Sequence, residues 1–244
     1  MNKKLQSIYS FLQTNRKYNQ IIQSGEYNAA LSPYEDKFDK VYSLLYSILN
    51  SQSQLKMDKS SEFFKLISKN RNNLLSAANF IECLNNDKPM PVGFNNFFEV
   101  LKKQPGWGDK TAALFVKAIY QTHIGYAGEL KFWNDVPKNL AKDDKLYLPV
   151  DAVIYFIFET IGNPCKNTFK GINKFINTNA PGTDFEIWDD LWFWGFITQK
   201  TENNTRLNGF NEAKYWNLLH SPKDPKSIVE VKSLANDFIK LLNS

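Results

Sequence analysis

Residues 104–112 read Gln104-Pro105-Gly106-Trp107-Gly108-Asp109-Lys110-Thr111-Ala112. Proline lacks the backbone N–H that a helix interior needs, so Pro105 ends the helix before it. Gly106 and Gly108 permit backbone angles and close approaches that a side chain hinders. Asp109 then opens the next helix, an acid in the first turn, where the helix dipole favours negative charge. The stretch predicts two short helices joined by a tight Gly-x-Gly turn. Such a turn directs backbone N–H groups outward at a helix N-terminus, an arrangement suited to gripping phosphate. The same letters also suit a plain corner between two helices, and the turn alone does not choose.

Working outward, the apolar residues recur at helical spacing almost everywhere. Phe94, Phe97, Phe98 and Leu101 make the helix that stops at Pro105, and Asp109 to Gln121 makes the one after it. Phe38, Val41, Leu44, Leu45, Ile48 and Leu49 give one buried face. Phe63, Phe64 and Ile67, then Leu74, Leu75, Ala78, Ile81 and Leu84, suggest two further helices. Val150 to Ile161 reads as an apolar helix buried nearly all round. Thr183 or Asp184 caps one running through Trp188, Leu191, Trp192 and Phe196. Ile228, Val231, Leu234, Phe238 and Leu241 close the chain with an amphipathic helix. The least regular stretches are 125–148, 163–183 and 221–226. Alternating strand patterns are scarce, and the expected fold class is all-α.

Composition narrows the chemistry. The 244 residues suit one large domain or two small ones, and 43% hydrophobic with 23% charged is ordinary for a globular chain. No apolar run approaches the roughly 20 residues that span a bilayer. The N-terminal segment MNKKLQSIYSFLQ lacks the apolar block of a signal peptide, so an intracellular protein is expected. Two cysteines, Cys83 and Cys165, exclude a disulfide framework, a four-Cys zinc site and a four-Cys iron–sulfur cluster, and both are expected to be reduced core thiols. His123 and His220 lie far apart in sequence, so a His-rich metal centre has nothing to build on. Any catalysis must rest on Lys, Asp, Glu, Ser or aromatics. The net charge of +5 is compatible with a polyanion partner without defining one. Lys166, Lys170 and Lys174 form an acid-free stretch, which also reads as a solvated face.

Three segments carry a family likeness: Pro105 to Ala112, then Pro149-Val150-Asp151-Ala152, and before both of them Leu49-Asn50-Ser51-Gln52-Ser53-Gln54. In this order they resemble the helix–hairpin–helix DNA glycosylases, which include endonuclease III, MutY and the 8-oxoguanine glycosylases. The resemblance spans roughly residues 36 to 162. Three departures are visible. Gln104 replaces the apolar residue that leads the hairpin, the C-terminal iron–sulfur cysteines are absent, and Lys110 and Asp151 stand 41 residues apart, a wide gap for the family. The long insertion before Pro149 looks most like the archaeal-type 8-oxoguanine glycosylases.

The resemblance implies two helical subdomains flanking a cleft, one formed by residues 36–125 and ending in the helix–hairpin–helix, the other by 1–35 plus 126–244. It implies base excision from double-stranded DNA carrying a damaged base, 8-oxoguanine first and oxidised pyrimidines second. Lys110 is then the nucleophile that forms a Schiff base and makes the enzyme an AP lyase. Asp151 is the carboxylate that stabilises positive charge on the sugar, kept ionised by its place at a helix N-terminus. The target base must leave the stack, and Gln52 fills the gap it leaves. Pro105, Gly106, Trp107, Gly108 and Thr111 contact the DNA backbone. Leu114, one turn after Lys110, faces the base pocket, and Trp194 or Trp192 supplies an aromatic face. A monovalent cation at the hairpin carbonyls is a family feature; no iron–sulfur cluster or other resident cofactor is expected. The rival is a non-catalytic helix–hairpin–helix DNA-binding protein, in which Lys110 only touches phosphate and Asp151 only caps a helix.

Overall fold

The computed structural model describes every residue except Met1, Ser53, Asn70, Cys165 and Asn204, and leaves the side chain of Asn73 aside. Cys165, expected to be a core thiol, and Ser53 of the segment around Gln52 therefore lie outside the described residues. The chain is mostly helical. It divides into two units, Met1–Gln23 with Val150–Ser244, and Ser24–Pro149. Among the described residues no helix is long and apolar enough to cross a membrane.

Helices α1 (Lys3–Thr14) and α2 (Arg16–Leu31) open the chain, and α2 passes from the first unit into the second. The second unit continues with α3 (Lys37–Asn50), α4 (Met57–Lys69), α5 (Ala77–Leu84), α6 (Phe94–Leu101) and α7 (Asp109–His123). Asp36 starts α3 by accepting the N–H groups of Phe38 and Asp39. The six apolar residues of the α3 stripe, Phe38 to Leu49, are all buried as their spacing requires. Each contributes on the order of 1.5–3 kcal/mol by leaving water.

Residues 126–149 belong to this unit, which extends well past the boundary at 125 expected from sequence. Their side chains give the reason. Trp133 is fully buried, stacks on Phe97 at 5.8 Å and donates its indole N–H to Leu74 O at 2.8 Å. Asp135 accepts the N–H groups of Ala77 and Ala78 at the start of α5, and Asp144 accepts that of Asn95 at the start of α6. The segment is irregular but holds two helix N-termini and fills the core between them.

The other unit adds α8 (Ala152–Thr160), α9 (Phe169–Asn179), α10 (Phe185–Trp188), α11 (Leu191–Ile197), the strands β1 (Gln199–Glu202) and β2 (Thr205–Asn208), α12 (Glu212–Asn217) and α13 (Pro225–Asn243). Four expectations change here. Helix α8 is buried only at Ile154, Ile157 and Phe158, with Ala152 and Glu159 exposed. Within 163–183, Phe169–Asn179 form α9, capped by Thr168, whose hydroxyl accepts Gly171 N–H at 3.0 Å. The helix expected through Trp188 and Phe196 is two short ones. Their joint lies at Asp189–Asp190, where the buried Asp190 accepts Asn19 Nδ2 at 2.7 Å and faces Arg16 Nε at 3.5 Å. Finally, β1 and β2 pair antiparallel, Gln199 opposite Asn208, with Asn203 at φ +49° in the turn.

Candidate active site

The α6–α7 turn is built from the residues that the sequence singles out. Gln104 donates from Nε2 to Leu84 O and Val100 O, both at 2.9 Å, and so satisfies carbonyls at the ends of α5 and α6 that have no helical partner. Gly106 has φ +81°, a conformation that costs a side chain dearly, and a Cβ there would stand 3.4 Å from the backbone N and hydroxyl of Ser60. Gly108 caps α7 in extended conformation with open space around it. The N–H of Gly108 donates to Thr111 Oγ1 at 2.9 Å, and that hydroxyl donates back to Gly108 O at 3.1 Å.

Lys110 is the second residue of α7 and half-buried, and among the described residues no carboxylate of its unit lies within ion-pair distance. Leu114 and Lys117 follow at helical spacing and are also half-buried, between fully buried neighbours. Lys110, Leu114 and Lys117 thus line the one partly open stripe of an otherwise enclosed helix. Gln52, just past the C-cap of α3, donates from Nε2 to Gly106 O at 3.4 Å. The structure therefore brings together Gln52, the turn, Lys110 and Leu114 within one unit.

Asp151 lies in the other unit, as the N-cap of α8. Its Oδ1 accepts Val153 N–H at 2.9 Å and Ile154 N–H at 3.1 Å. This bonding fixes the orientation of the carboxylate at the start of α8.

Some expected roles do not survive the packing. The Trp107 ring is turned inward, 8% exposed, edge-on to Phe63 at 5.3 Å and Phe115 at 6.2 Å, and its backbone N–H is given to Gln104 O. It anchors the turn. The Gly108 N–H and the Thr111 hydroxyl are likewise committed to each other. Trp194 is fully buried against Phe11, Tyr18, Phe193 and Phe238, a core position that leaves no ring face for a base. Trp192 is half-buried and stacks on Phe196 at 5.1 Å.

Among the described residues no group of three His, Cys, Asp or Glu side chains could hold a metal ion. A monovalent cation at the turn would share Gly106 O with Gln52 and Gly108 O with Thr111 and Ala112. His123, at the end of α7, is neutral: burial pushes its pKa down to about 4. Its Nε2 accepts Trp133 N–H at 3.2 Å, so the ring proton sits on Nδ1, facing Ile119 O at 2.9 Å.

Sequence reasoning missed Gln199 and Arg206, which meet the first turn of α8. Gln199, 1% exposed, donates from Nε2 to Val153 O at 2.9 Å, and Arg206 donates to Ala152 O. No local pattern marks either residue. Comparison of the chain with protein-family models, with curated proteins and with solved structures returns no match.

Proposed function

We propose that the protein is a base-excision DNA glycosylase with AP lyase activity, acting on an oxidised base with 8-oxoguanine favoured. One observation carries the reading. Lys110 enters α7 directly after a Gly-x-Gly turn, half-buried and unpaired with any acid of its unit, while the same chain carries a carboxylate oriented at the N-cap of α8. A turn that only binds phosphate gains nothing from Asp151, whose negative charge would repel it.

The chemistry follows from these groups. The extruded nucleotide presents its anomeric carbon to the Lys110 amine. The amine attacks, the N-glycosidic bond breaks, and the base leaves with its electron pair and takes up a proton. Asp151 stabilises the positive charge that develops on the sugar. The nitrogen then loses one proton, the C1′–O4′ bond opens with O4′ taking up a proton to give the iminium Schiff base, and loss of a C2′ proton expels the 3′ phosphate, which cleaves the strand on the 3′ side. In this reading Gln52 occupies the gap in the stack and Leu114 borders the base. The two-helix turn around Gly106 is then a helix–hairpin–helix that grips the backbone.

The test is borohydride trapping with a duplex carrying one 8-oxoguanine opposite cytosine. A covalent complex that disappears in Lys110→Ala is expected. Trapping of an abasic duplex alone keeps the lyase and moves the substrate to another lesion. Duplex binding without trapping of either supports the non-catalytic DNA-binding protein instead.

A further inference from the structure

Beyond the turn, a second cluster in the α8-bearing unit has the chemistry of an anion site. Arg206 on β2 is half-buried, and its Nη1 donates to Ala152 O, the residue next to Asp151, and to Gln199 Oε1 at 3.2 Å. Its guanidinium also lies 5.9 Å from the Phe156 ring centroid. Gln199 is held in turn through Nε2 on Val153 O, so the arginine head is fixed from two sides. Asn211 ties α12 to the same place, donating from Nδ2 to Gln199 O at 3.3 Å and capping the N–H of Lys214 at 3.1 Å. Lys214 is half-buried, with Nζ 5.0 Å from the Phe196 centroid. Burial, and then the nearby charge of Arg206, lower the pKa of Lys214.

The two cations are thus tied to one place through Gln199 and Asn211, and among the described residues neither forms an ion pair with an acid of their unit. Holding like charges together without a counter-charge costs free energy that a bound anion would recover. A guanidinium has five N–H donors in a planar fork, and only one of its nitrogens is committed here. The remaining fork matches two oxygens of a phosphate, with the ammonium beside it.

We propose that Arg206 and Lys214 form a phosphodiester-binding site at the N-terminal turn of α8, with Gln199 as the residue that positions the arginine. The proposal rests on the glycosylase reading for its ligand, a backbone phosphate of the strand that carries the damaged base. The hairpin of β1 and β2 then holds the strand beside Asp151.

The experiment measures binding of a duplex with a tetrahydrofuran abasic analogue, by fluorescence anisotropy, between about 50 and 200 mM salt. Arg206→Ala and Lys214→Ala are each expected to weaken binding about tenfold at low salt and to make the salt dependence shallower by about 0.9 in log–log slope. Arg206→Lys should keep the slope. Gln199→Glu, which sets a carboxylate against the guanidinium in nearly the same shape, should lose as much as Arg206→Ala. Thermal melts of Lys214→Ala and Gln199→Glu separate loss of binding from loss of fold. If the wild-type protein binds and both alanine variants keep its affinity and slope, the site is overturned while the glycosylase reading stands. If the wild-type protein does not bind the duplex, the glycosylase reading falls and this site's ligand with it.

Discussion

At the scale of the residue, the same letter takes opposite roles according to what surrounds it. Trp107 and Trp194 both look available to a ligand in the sequence, and both are enclosed. Gln104 uses its amide where an apolar side chain would have left Leu84 O and Val100 O to water. His123 shows how burial turns into pH dependence. Its folded pKa, near 4, lies below the ordinary value of 6.5 for an unfolded chain. Between these values the unfolded chain binds a proton that the folded one refuses, so stability falls as pH drops through the window and is unaffected above it. The loss relative to neutral pH should reach on the order of 2–3 kcal/mol by about pH 4.5. Urea midpoints of the wild type and His123→Gln at both pH values check this, because the variant lacks the titrating ring and should lose less.

At the scale of the element, packing decides which glycines matter. Gly106 needs its positive φ and its approach to Ser60, so Gly106→Ala should cost about 1–3 kcal/mol. Gly108 has neither constraint, and Gly108→Ala should cost no more than about 1 kcal/mol through a poorer N-cap. Denaturant unfolding of the two variants distinguishes a turn set by Gly106 from one that needs both glycines. Gly195 in α11 is a close-approach glycine of another kind, since a Cβ there would come within 2.5 Å of Ile157 Cδ1 and 2.7 Å of Val153 Cγ1. It lets α11 lie against α8, next to where Gln199 and Arg206 take hold.

At the scale of the whole molecule, the chain forms two units whose boundary at 149–150 falls immediately before the capping Asp151. The long segment 126–149 is an integral part of the Ser24–Pro149 unit because Trp133 fills its core. Trp133→Ala should destabilise that unit by about 3–5 kcal/mol, through lost burial, lost stacking and an unpaired Leu74 O. Tryptophan fluorescence and circular dichroism in a denaturant series measure the shift. A smaller loss than about 1 kcal/mol would mean that the segment is peripheral.

The sequence by itself determined the helical class, the α3 stripe, the α6–α7 turn and the cap at Asp151, because each depends on residues within a turn or two of one another. Periodicity, Pro105, the positive-φ glycine and a short capping side chain are all local signals. Helix α9 was missed although Ile172, Phe175 and Ile176 carry its period, because Gly171 and the surrounding Asn residues read as loop. Tertiary structure alone decided which tryptophans are core, why Gln104 is polar, and where Gln199 and Arg206 act. Those last contacts join residues 46 and 54 positions apart in the chain. No local pattern encodes a hydrogen bond across such a distance; it exists only once burial has brought α8 and the hairpin together.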